Sequence, residues 1–167
     1  MRKTIAAGIA VGVVAAVGFI TPASAISSTT ADLSVLHAVP DTPVDVYVNG
    51  DLTLDDFQPG DLAGPLDLPA GDYVVAITAP DAADDSAPVI GPITLTLAAN
   101  TSYTAVAHLD EAGAPTATLF TNDISTTAAG EGRLTVRHVA AAPAVDILAG
   151  GTPVVEDLTN PNEATLN

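Results

Sequence analysis

The chain has no cysteine and no tryptophan, and only four of its 167 residues are lysine or arginine. Without cysteine there are no disulfide staples and no thiol nucleophile, so burial alone must hold the fold together. A lipid anchor following a leader peptide also has no attachment point. Aromatic residues are scarce as well, with three Tyr and three Phe. Sugar-binding surfaces rely on exposed aromatic platforms, and most of the rings here fall in strand-like segments where a core needs them. Tyr47 alone alternates onto the same face as Asp45, and is expected at the surface.

The shortage of cations is sharper than the count implies. Arg2 and Lys3 stand at the head of "MRKTIAAGIAVGVVAAVGFITPASA", where a basic pair, an apolar run over residues 4–20 and a small-residue Ala23-Ser24-Ala25 site follow in order. That is the layout of a secretory leader, with Pro22 breaking the apolar stretch before the cut. The run is short and rich in Ala and Gly for a bilayer span, so cleavage after Ala25 is expected rather than anchoring. What then remains has Arg133 and Arg137 against 20 acids, a formal charge of −18. Nucleic acids and anionic membrane surfaces are bound through Lys and Arg patches, so neither is an expected partner. The expected setting is extracellular, free or loosely associated with the envelope, and the expected partner an unidentified extracellular protein or envelope component. "LPAGD" (68–72) lacks the Thr-Gly ending and basic tail of a wall-sorting signal and reads as a turn.

Beyond the leader, apolar residues alternate with a period of two. In "PITLTLAAN", Ile93, Leu95 and Leu97 share one face and Thr94 and Thr96 the other. "YVVAIT" (73–78), "SYTAVAHL" (102–109) and "ATLFT" (117–121) are rich in strand formers. With "LSVLHA" (33–38), "VDVYV" (44–48) and "PLDL" (65–68) they make about seven strands punctuated by Pro, Gly, Asp and Asn. The fold class this predicts is all-β, an antiparallel β-sandwich of the immunoglobulin-like or transthyretin-like kind. No sustained helical period occurs.

One phrase is written twice. "LSVLHAVPDTPVDVYVNG" (33–50) returns as "LTVRHVAAAPAVDILAGG" (134–151), with His37 and Asp45 answered at the same offset by His138 and Asp146. The repeat predicts a leader over 1–25, a complete sandwich over 26–124, a small-residue linker over 125–132, and over 133–167 the front of a truncated second copy. The alternative is that these last strands lie against the first sheet, covering an edge.

"LHAVPDTPVDVYVNG" followed by "LDLPAGDYVVAITA" resembles the secreted bacterial domain of unknown function family 4397 (DUF4397), across essentially all of residues 33–121. Pro40 has no counterpart in the second phrase. The resemblance implies an exported β-sandwich and no reaction.

Candidate chemistry is sparse. A His–Asp pair could orient a general base, but His37 ends an apolar face while Asp45 alternates away from it. A hydrogen-bonded structural role is expected for both, and for His138 and Asp146. No G-x-S-x-G elbow or i, i+4 histidine pair is present, and His108 stands apart. The protein is therefore expected not to be an enzyme, with no catalytic residues and no cofactor. The remaining option is calcium, with Asp51, Asp55, Asp56, Asp81, Asp84 and Asp85 as oxygen donors from flexible acidic loops. Neither segment matches a D-x-[DN]-x-[DN]-G loop, and a solvated acidic surface accounts for the same residues.

Overall fold

Side-chain alternation and turn residues divide the chain into twelve strands, seen in a computed structural model that describes residues 26–167. The expected leader over residues 1–25 lies outside the described residues. The strands are β1 (Thr30–His37), β2 (Val44–Val48), β3 (Asp51–Phe57), β4 (Leu62–Pro69), β5 (Gly71–Thr78), β6 (Ile90–Leu97), β7 (Thr101–Leu109) and β8 (Pro115–Asn122). They are followed by β9 (Leu134–Arg137), β10 (Val145–Ala149), β11 (Thr152–Leu158) and β12 (Glu163–Leu166). Among the described residues no helix is long and apolar enough to cross a membrane.

The first eight strands form a β-sandwich of two four-stranded sheets, ordered β4-β1-β7-β8 and β3-β2-β5-β6. All pairings are antiparallel except β1 with β7, which run parallel with Leu33 opposite Tyr103. The inward faces meet in two apolar clusters. One holds Val44, Val46, Phe57, Val75, Ile77, Ile90, Leu95 and Ala107; the other holds Ala31, Leu33, Leu97 and Tyr103. Val35, Ala105 and Leu119 touch both, so the two merge into one core. Burial of such aliphatic side chains at ~25 cal/mol per Å² is the main stabilising term.

The structure corrects the expectation at β3, and shows what the turn at 69–71 connects. The segment "DLTLDD", expected as an acidic loop, is a strand. Asn49 and Gly50 both have positive φ (53° and 86°), so they form the tight turn of a β2–β3 hairpin. At "PAG" the chain crosses from one sheet to the other instead of turning within one, because β4 and β5 belong to different sheets. The Tyr73 hydroxyl donates to the Pro69 carbonyl at 2.7 Å and fastens that corner.

Both sheets protect an outer strand in the same way. Gly64-Pro65 sits in β4 and Gly91-Pro92 in β6, each beside a break in register with its neighbour. Proline withholds a ladder donor, which suits an edge strand. A Cβ on Gly64 would lie 2.6 Å from the Leu33 carbonyl oxygen, and one on Gly91 2.7 Å from that of Val75. Both glycines have φ near +100°, so only glycine fits.

The last four strands pair as the first four do. β9 pairs with β12, placing Val136 opposite Ala164, as Val35 lies opposite Ala63. β10 pairs with β11, placing Val145 opposite Leu158, as Val44 lies opposite Phe57. This set rests on the first sandwich through polar contacts. The Arg137 guanidinium sits 4.6 Å above the Phe120 ring and donates to Asn122 Oδ1 at 2.7 Å. Arg133 donates to the Asp123 carbonyl at 3.1 Å, and Asn160 to that of Leu109 at 2.8 Å. Alternation along β9 puts Arg133 and Arg137 on the face opposite Leu134 and Val136.

Candidate functional site

His37 with Asp45, and His138 with Asp146, are the pairs on which a general base could be built. His37 is fully buried at the end of β1 and stacks on Phe57, with ring centroids 5.9 Å apart. Its Nε2 lies 2.8 Å from the Thr42 carbonyl oxygen and must donate to it, tying the β1–β2 loop to the strand end. His138 does the same with the Pro143 carbonyl at 3.0 Å. Asp45 Oδ1 accepts the Asp56 amide at 2.9 Å, and Asp146 Oδ1 accepts the Asp157 amide at 2.9 Å. Asp56 and Asp157 have φ of 50° and 55°, in the left-handed region, next to breaks in the β2–β3 and β10–β11 registers. Each Asp thus holds a bulge whose extra amide has no ladder partner. In neither copy does the His side chain bond to the Asp: each is taken up by main chain.

His108 is also fully buried, with Nδ1 2.9 Å from the Leu109 carbonyl and Nε2 2.9 Å from Thr118 Oγ1. Nδ1 donates, and Nε2 accepts the threonine hydroxyl. Both ring nitrogens are satisfied and stand apart from the other two histidines. Nothing in the sequence pointed to this bond, because Thr118 lies on a different strand.

Tyr47 corrects the expectation of a surface ring. Parity does place it on the outer face of its sheet with Asp45, but residues 79–89 fold back over that face. Tyr47 is only 5% exposed, and its hydroxyl donates to the Ala82 carbonyl at 2.9 Å. Acids gather around it. Burial raises the Tyr47 hydroxyl above its ordinary pKa, and the charges of Asp45, Asp84, Asp85 and Asp55 raise it further. Asp56 is likewise raised, first by desolvation and then by Asp55, Asp81 and Asp45. Asp84 is lowered by hydrogen bonds from Ser86, whose amide donates to its Oδ1 at 3.0 Å.

Five of the six calcium candidates, Asp55, Asp56, Asp81, Asp84 and Asp85, therefore share one electrostatic neighbourhood. Asp51 stands apart at the start of β3. Among the described residues no three His, Cys, Asp or Glu side chains are placed to hold a metal ion.

The class of protein that this geometry defines is an all-β sandwich whose conspicuous polar residues secure bulges and loop ends. A family model described as "Domain of unknown function (DUF4397)" matches residues 31–148, from β1 into β10, and the chain belongs to that family. No curated protein matches the chain.

Proposed function

We propose that the protein is an exported, non-catalytic interaction module that binds another polypeptide of the extracellular space or cell envelope. One observation carries it: both His–Asp pairs are spent as main-chain ties, His37 and His138 on loop carbonyls and Asp45 and Asp146 on bulge amides. That use supports a non-catalytic role, and the leader supports export. In this reading β9–β12 open a second copy of the domain.

The test is hydrogen exchange on the exported chain, with and without an envelope extract of the producing cell. Slowed exchange over a contiguous group of strand residues is expected. Unchanged exchange throughout, or mass spectrometry showing residues 1–25 retained, would overturn the reading. A second reading, a calcium-dependent binding module, is favoured only by the convergence of Asp55, Asp56, Asp81, Asp84 and Asp85 on the Tyr47 face. Calorimetric titration with millimolar calcium decides it: heat and a higher melting temperature support it, and their absence removes it.

A further inference from the structure

The two sheets of the first sandwich do not close completely on each other. A cavity of about 240 Å³ lies between them. Its walls are aliphatic: Val46 and Val75 stand on one sheet, and Ala105, Ala107 and Ala117 on the other. The alanines make the space. Three inward positions on β7 and β8 carry a single methyl where the facing sheet carries Val, Ile and Leu.

We propose that this cavity is a binding site for a small, uncharged, largely aliphatic molecule. Three observations select that chemistry. First, size: an apolar cavity of about 150 Å³ holds benzene, so this one has room for about ten non-hydrogen atoms. Second, the hydroxyls in its lining are already engaged. The Tyr73 hydroxyl donates to Pro69, that of Thr118 bonds His108, and that of Thr53 donates to the Asp51 carbonyl. A polar group inside would find no partner, and burying one unpaired is unfavourable.

Third, the entrance is marked by the exposed lining residues Asp51 and Thr53, on the outer strand β3. The Asp51 carboxylate there, on a chain with a large excess of acid, disfavours a fatty-acid anion and tolerates a hydroxyl-ended chain. The site lies within β1–β8 and does not depend on β9–β12 or on the proposed interaction role.

The experiment uses the exported chain with 1-octanol as probe and octanoate as its charged counterpart, followed by NMR of the alanine methyls. Octanol is expected to bind one per chain, shifting the Ala105, Ala107 and Ala117 methyl signals, and octanoate at least tenfold more weakly. Ala107→Leu is expected to abolish the octanol shifts at Ala105 and Ala117 and to raise the melting temperature by filling the space. If that variant does not fold, Ala117→Val is expected to weaken octanol binding at least tenfold. Absence of octanol binding to the parent chain, or binding that persists unchanged in the filled variant, overturns the proposal. Equal binding of octanoate overturns the assigned chemistry.

Discussion

The repeated aspartates permit an internal comparison in which the bond is constant and only its surroundings change. Asp45 and Asp146 each accept one amide at 2.9 Å, from the residue eleven positions on, yet Asp45 is 1% exposed and Asp146 is open to water. Replacing either with alanine frees an amide at a left-handed residue. In the buried case that amide has no ready substitute, and losing a hydrogen bond to a charged acceptor costs about 2–3 kcal/mol. In the exposed case water takes its place, and about 0.5–1 kcal/mol is expected. Urea denaturation of the chain from residue 26 onward, read by circular dichroism, is the assay. Asp45→Ala should lower the main transition midpoint clearly, and Asp146→Ala should leave it nearly in place. Asp45→Asn keeps an acceptor oxygen and should recover most of the loss. Equal effects from the two alanine variants, or no recovery with asparagine, would refute the assignment of Asp45 as a bulge tie.

Three other substitutions probe separate features. Gly64→Ala forces a methyl to 2.6 Å from the Leu33 carbonyl at φ +102°, so it should destabilise by at least about 2 kcal/mol and lower the melting temperature. Arg137→Ala removes the contact with Phe120 and the 2.8 Å ion pair with Glu163, together worth about 1–2 kcal/mol; exchange should quicken in β9 and β12 while β5 and β6 stay protected. Asp56 has a raised folded-state pKa, so the native state binds its proton more readily than the unfolded chain does, and stability falls as pH rises through that interval. Asp56→Asn should therefore stabilise at neutral pH, with the gain vanishing below the ordinary carboxylate range of about 4 in an acid-to-neutral melting series. Asp84 has the opposite sign: its lowered pKa supplies stability that is lost as pH falls through the folded value.

Much of the architecture was legible because strand periodicity is a local signal. "PITLTL" alternates cleanly and lies within β6, and "YVVAIT" and "SYTAVAHL" lie within β5 and β7. Parity alone puts His37 at the end of the buried face and Asp45 on the opposite one. Acidic composition hid β3, since Asp51, Asp55 and Asp56 look solvated whether or not their backbone is paired. The Asn49-Gly50 turn was the available signal, because it closes a two-residue hairpin. Tyr47 went astray for a different reason. Alternation says which side of a sheet a residue occupies, but not that residues 79–89 come back to cover that side. The Thr118–His108 bond and the alanine-lined space likewise depend on which strands meet, and no spacing along the chain records that.

The parallel union of β1 with β7 fixes an order of events. Thr101 is the residue that meets Ala31, so the central strand of the first sheet has one neighbour missing until some seventy positions further along have been made. The β2–β3 hairpin closes early and locally, whereas the long closure between β1 and β7 carries a larger entropic penalty. A partly made chain therefore keeps the apolar side chains of β1 half-bare until the residues of β7 arrive. Residues 101–109 act as the latch that ends that exposure.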